Sequence, residues 1–265
     1  MKNILEKELI KIDKKVKKII GKKEGYIKSK LNPISDKIEE FIPDKLRDTL
    51  EKAFYNGFKL VLKKGSKYIE NLYDKEKIKI EHDISNYALS KKLNRKALRG
   101  MDKQSKRSKL VNSTISTVEG GGLGLLGIGL PDIPIFIGVI IKTVYEIALS
   151  YGFDYEKEDE LIYILTLISA ALTSEEKQIK FNSKLDYLGR KIDSNIKIED
   201  DIDEVIKETS EVLSESLLIA KFIQGLPVIG IVGGLTNYNV INKLTTYGNL
   251  KYKKRFIEKK MYNKE

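Results

Sequence analysis

The stretch Glu119-Gly-Gly-Gly-Leu-Gly-Leu-Leu-Gly-Ile-Gly-Leu-Pro131-Asp132-Ile133-Pro134 is apolar, almost uncharged and crowded with glycine, in a chain otherwise thick with lysine. It runs on through apolar residues to Tyr151-Gly152-Phe153-Asp154. Of the chain's 19 glycines, six lie in Gly120–Gly129, one is Gly138, and four lie in a second window, Gly225–Gly234. Each window holds a G-x-x-x-G pair, Gly120/Gly124 and Gly230/Gly234, and four residues is about one helical turn. Such a pair bares a strip where another backbone can approach closely. The two windows therefore predict glycine-rich helices packed on each other, the first forming a hairpin bent at Leu130-Pro131. Each glycine costs a helix interior about 1 kcal/mol, so close packing must offset the density.

Length argues against an ordinary membrane span. Gly120–Leu130 is 11 residues, which as helix is roughly 16 Å against a hydrocarbon core of about 30 Å. Beyond it lie Asp132 and then Lys142 and Glu146, and one such charge near mid-bilayer costs about 2.5–3.5 kcal/mol. A core hairpin and a shallow re-entrant one both remain consistent with the residues. Asp132 reads as the N-cap of a helix over Ile133–Ser150, with Pro134 tolerated in its first turn. Gly152 reads as the C′ residue that closes that helix, and Asp154 as the cap of the next, Glu156–Leu172. Gly122, Gly124 and Gly127 match G-x-G-x-x-G, but a polar, helix-like segment precedes them and proline follows, which is not the strand–turn–helix a dinucleotide requires.

The rest of the chain also reads as helix. Leu5, Leu9, Ile12, Val16 and Ile19 recur at spacings of four and three, one apolar stripe with lysines opposite. This basic amphipathic helix suits either an anionic membrane or docking on the protein body. After the breaks at Pro33 and Pro43, Asp44 opens a pattern that runs to about Tyr73, and a further one spans Ile84–Leu98. Ser174 opens a helix to Ile192, Glu199-Asp-Asp one that ends near Gln224, and the last runs from about Val228 to Lys260. No alternating pattern extends over a sheet, so the expected class is all-α, a multi-helix bundle. Residues 1–43 form a basic helical arm and 44–265 the main domain.

Charge is distributed unevenly. Residues 1–119 carry 31 Lys/Arg against 17 Asp/Glu, residues 120–250 carry 11 against 19, and residues 251–265 carry 7 against 2. The basic ends point to an anionic partner surface or to a general lysine bias. The densest run, residues 91–110, holds nine Lys/Arg and one acid. It lacks the interleaved aromatics and signatures of nucleic-acid binding, so no nucleic acid is expected. Lys14, Lys15, Lys17, Lys18, Lys91, Lys92, Arg95, Lys96, Arg99, Lys106 and Arg107 are the candidate contacts to anionic lipid or an acidic partner. The early acids Glu6, Glu8 and Asp13 do not fit a secretory signal.

Catalytic patterns are not evident. The chain has no cysteine, no G-x-S-x-G and no H-E-x-x-H. His82, the lone histidine, sits between Glu81 and Asp83 and reads as an exposed residue of an acidic helix start. No catalytic, metal or cofactor residue is assigned.

The succession Glu119 with its glycine run, Leu130-Pro-Asp-Ile-Pro134, Tyr151-Gly-Phe-Asp154 and Glu158–Glu160 before an apolar helix resembles the EcsC family of bacterial proteins. Gly225-Leu-Pro-Val-Ile-Gly230-Ile-Val-Gly-Gly234, then Asn237 and Tyr252…Arg255-Phe256, is similar to the end of that domain. The likeness covers roughly residues 45–260. Its motif residues here are Glu119, Gly120, Gly124, Gly127, Pro131, Asp132, Pro134, Tyr151, Gly152, Asp154, Gly230, Gly234 and Asn237. The resemblance implies a helical domain and a link to the Ecs ABC transporter, and supplies no catalytic residue. The expectation is a non-enzymatic protein peripheral to the cytoplasmic face of the membrane. Alternatives are a soluble partner-binding regulator of a membrane complex and a hydrolase with a site around Glu119, Asp132, Tyr151 and Asn237.

Overall fold

The computed structural model describes residues 2–20, 42–63, 69–91, 98, 100–103, 105, 133–223 and 233–262. Their long elements are all helices: α1 (Lys2–Ile20), α2 (Asp44–Lys63), α3 (Lys75–Lys91), α4 (Ile133–Ser150), α5 (Glu158–Leu172), α6 (Glu175–Asp193), α7 (Ile202–Ile223) and α8 (Gly233–Tyr262). No strand occurs among the described residues, and the fold is all-α as the periodicity predicts. The first glycine run, Glu119–Asp132, and Gly225–Val232 lie outside the described residues, as do the hairpin and window-to-window packing expected of them. Gly233 and Gly234 open α8.

Helix α4 is apolar almost throughout, and its residues from Ile137 to Ser150 are all buried. It is long and apolar enough to cross a membrane, yet 83% of it is buried inside the protein, so it serves as a core helix. Helices α4, α2, α7, α5 and α8 each pack on the next, and α8 returns to α4, closing a ring of neighbours. Around it, α3 packs on α4, α6 on α5, and α1 on α8. At the α2–α4 crossing, Gly57 leaves room for Ile137: a Cβ there would stand 2.6 Å from Ile137 Cδ1. Hydroxyls buried in these apolar helices bond their own i−4 carbonyls, as Thr143, Thr166, Thr209 and Thr245 do, which meets the requirement that buried polar groups be paired. Lys142 and Glu146, one turn apart on α4, pair at 3.3 Å within the core.

Several boundaries differ from the sequence reading. Helix α3 begins at Lys75, not Ile84, because Asp74 caps it: Asp74 Oδ1 accepts the Lys77 N–H at 2.9 Å. In the described residues α2 ends at Lys63, and Ile69 lies in a short helical segment followed by a turn. Helix α5 starts at Glu158 because the Asp154 carboxylate takes the Glu156 N–H two residues on, making a local turn before the helix. The stop of α4 is as expected. Gly152 has φ +77° and its N–H bonds Leu149 O, while the Phe153 N–H bonds Ala148 O, a Schellman closure.

Candidate functional site

The Tyr151–Asp154 turn stands where α3, α4, α5 and α8 converge. His82 of α3 is buried beside it, not exposed as its acidic neighbours suggested. Its Nδ1 lies 3.1 Å from the Ser150 carbonyl, so that nitrogen carries the proton and donates. Its ring meets Phe256 edge-on, with centroids 6.1 Å apart. Glu81 and Asp83 flank it in sequence, but on a helix each points about 100° away from it. Burial lowers the imidazole pKa below its ordinary value, outweighing the raising effect of the Ser150 bond.

A stability consequence follows with a definite sign. The neutral ring is favoured in the folded state, so its contribution is present above the unfolded pKa of about 6.5 and is lost as pH falls through the lowered folded value. Thermal unfolding between pH 7.5 and 5.0 should show the wild-type melting temperature falling below about pH 6.5, and His82→Gln should flatten that slope while leaving the carboxylate-driven loss at lower pH.

On one side of the turn, the Tyr151 hydroxyl lies 3.1 Å from Asp102 Oδ1 and 3.3 Å from Asn249 Oδ1. Burial raises the Tyr151 pKa well above the phenol range, with Asp102 adding to it. Ser105 also bonds Asn249, whose amide donates to Thr245 O at 2.7 Å. Asp102 in turn accepts from Lys253 at 2.8 Å, and Lys253 reaches Glu8 of α1 at 2.9 Å. A chain of polar contacts thus joins the first helix to the central turn.

On the other side lies Arg255 of α8. Its Nη1 and Nη2 grip Glu160 at 2.7 and 3.1 Å, and its Nε and Nη2 reach Asp193 at 3.0 and 2.8 Å. The faces of the guanidinium are covered by Phe153 and Tyr163, whose ring centroids lie 4.3 and 4.2 Å from Cζ. Tyr252 donates to Glu160 at 2.8 Å. Burial alone would lower the arginine pKa, but Glu160 and Asp193 override it and hold it well above its ordinary value. Both Arg255 and Glu160 are almost fully buried, 4% and 3% exposed. With every edge and face occupied, this centre orders the junction of α5, α6 and α8. A third cluster links Tyr73 and Tyr155 hydroxyl to hydroxyl, with Tyr155 donating to Glu70 at 2.8 Å and stacked on Tyr145 at 3.7 Å.

The basic tail of the sequence is therefore not an open surface. Lys251 pairs with Asp186 at 2.9 Å, Lys254 with Asp13 at 3.1 Å, and Lys253 and Arg255 as above. The charge excess of residues 251–265 is in large part met by acids from α1, α5 and α6.

Helix α1 is different. Leu5, Ile12 and Val16 are buried against α8, and Leu9 and Ile19 are partly buried. Its inner acids, Glu8 and Asp13, are the ones turned to Lys253 and Lys254. Lys14, Lys15, Lys17 and Lys18 are exposed, as are Lys7 and Lys11. At 100° per residue, Lys7, Lys11, Lys14, Lys15 and Lys18 fall within an arc of about 100° whose centre is roughly 130° round the helix from that of the buried stripe. Lys91 is exposed at the end of α3, while Lys92, Arg95, Lys96, Arg99, Lys106 and Arg107 lie outside the described residues. So do Glu119, Gly120, Gly124, Gly127, Pro131, Asp132 and Gly230, together with the Asn237 side chain. Pro134 is half-buried in the first turn of α4. Of the residues suggested for a hydrolase site, Tyr151 is the one whose side chain is described. Glu160, Asp193 and Arg255 were missed as a unit. Among the described residues no group of three or more His, Asp or Glu is placed to hold a metal ion.

The architecture defines an all-α protein built around a long core helix, with an Arg–carboxylate–tyrosine centre and a lysine-faced outer helix. Residues 6–257 match the model of the EcsC protein family, and the chain belongs to that family. It is 28% identical over 159 residues to "Uncharacterized protein YdbA" of Bacillus subtilis (strain 168), an alignment covering 57% of this chain and 56% of that protein. The match thus spans just over half of that relative's length. No solved structure matches.

Proposed function

We propose that this EcsC-family protein acts without catalysis at the cytoplasmic face of the membrane, touching anionic lipid through basic helices and working beside an ABC transporter. The observation that carries the reading is the sorting of charge on α1. Its inner acids pair with lysines of α8, Glu8 also taking Lys11 at 3.4 Å, and Lys7, Lys14, Lys15, Lys17 and Lys18 are turned outward. A lysine near an anionic leaflet is worth about 1 kcal/mol. Because the apolar stripe of α1 is covered by α8, this contact is electrostatic and should be screened by salt.

Flotation with phosphatidylglycerol vesicles tests it. The protein should rise with the vesicles at low salt, stay behind with phosphatidylcholine, and be released toward 1 M salt. Replacing Lys14, Lys15, Lys17 and Lys18 by glutamine should weaken binding by roughly 100-fold or more. Failure to bind phosphatidylglycerol at low salt would sink the reading. Co-purification with a membrane complex by a protein that ignores bare vesicles would instead show that the lysine face meets acidic protein.

A further inference from the structure

Helix α3 carries a second outward feature that the fold does not use. Ile80, Ile84 and Tyr87 are 57%, 65% and 64% exposed. Their i, i+4, i+7 spacing places them on one stripe about 10 Å long, and Leu89, buried on the inner side, lies about 180° from Ile80. His82 and Leu89 are the residues of α3 that are buried. Lys77 and Lys91 stand at the two ends of the stripe, and Lys91 Nζ sits 5.3 Å from the Tyr87 ring centroid. Glu76 and Asp83 border it on one edge, with Glu76 engaged by Lys79 at 3.8 Å. The chain then passes directly into residues 91–110, with their nine Lys/Arg and one acid.

Resting on the membrane reading above, we infer that the α3 stripe is the apolar anchor of the protein, seating Ile80, Ile84 and Tyr87 at the headgroup boundary of an anionic bilayer. The chemistry is that of an interfacial helix: aliphatic side chains below, a tyrosine at headgroup level, and lysines whose stems lie along the apolar surface with their charges in water. Lys77 and Lys91, both exposed at the ends of the stripe, supply complementarity to lipid phosphate. A second copy of this chain suits the stripe less well, because two-fold pairing would set lysine against lysine at both ends. Helix α1 then contributes attraction at a distance, and α3 contributes depth.

The chain has no cysteine and no tryptophan, so a single reporter can be placed without background. Ile84→Cys labelled with an environment-sensitive NBD fluorophore should shift to the blue on adding phosphatidylglycerol vesicles, and spin-labelled lipid should quench it. The same label at Ile196→Cys, in the exposed α6–α7 connection, should not respond. Ile80→Ser with Ile84→Ser should weaken vesicle binding about 100-fold while leaving the salt dependence unchanged, since apolar contact and not charge is removed. Both side chains lie outside the core, so circular dichroism should show an unchanged fold. If the protein floats with vesicles but the label at position 84 stays unshifted, the anchor is overturned and the membrane reading stands. If it does not float, both fall. A spectral change that needs no lipid and grows with protein concentration would assign the stripe to self-association and overturn the anchor.

Discussion

Replacing Arg255 by methionine should cost about 3–5 kcal/mol of stability, read as a lower urea midpoint at unchanged slope. Methionine keeps most of the aliphatic volume between Phe153 and Tyr163 but strands Glu160 and Asp193 without their cation. The loss comes from that stranding and much less from packing, because an uncompensated buried carboxylate carries its full desolvation cost. Arg255→Lys should recover little. An ammonium has no planar face to stack between two rings and cannot give each carboxylate the paired bonds that the guanidinium gives. Adding Glu160→Gln to Arg255→Met should recover part of the loss, since the amide is neutral and still accepts from Tyr252. A loss below about 1 kcal/mol for Arg255→Met would show that the centre is not the organiser it is taken to be.

Gly152→Ala should be destabilising by roughly 2–5 kcal/mol for two separable reasons. A non-glycine residue at φ +77° costs about 1–2 kcal/mol. Its Cβ would also lie 2.4 Å from His82 Nε2 and 2.7 Å from Cε1, in a ring fixed by Ser150 and Phe256, and such overpacking costs about 1–3 kcal/mol. A double-mutant cycle separates them. In a His82→Ala background, Gly152→Ala should cost about the backbone part alone, so the two substitutions should be non-additive by about 1–3 kcal/mol. Strict additivity would mean that the histidine does not press on the turn.

What the sequence made legible was local. The spacing of Leu5, Leu9, Ile12, Val16 and Ile19 marked the face of α1 that is covered, and the glycine after an apolar helix marked the closure of α4. The same local reading placed α4 and α6 within a residue or two. It failed where a residue's partner is remote. Glu160 read as one of a run of acids before an apolar helix, whereas its partner Arg255 lies 95 positions along the chain. The positive tail read as surface because its neutralising acids are scattered over α1, α5 and α6. His82 read as exposed because its sequence neighbours are acids, and helical geometry turns those neighbours aside. The start of α3 was hidden because Ile78 and Ile80 alternate with charges, while the deciding residue, Asp74, acts through a cap and not through hydrophobic period. Family likeness was legible from motifs, and the match over residues 6–257 extends into α1, which the resemblance had not included.

The clasp between α1 and α8 also has a meaning in time. Glu8 and Lys253 are 245 positions apart, and a ribosome adding about 5–20 residues per second needs roughly 12–50 s to cover that distance. Throughout that interval the nascent α1 has its apolar stripe bare, for the helix that will cover it has not been made. The order of synthesis thus makes the docking of α1 a late step that waits on the completion of α8.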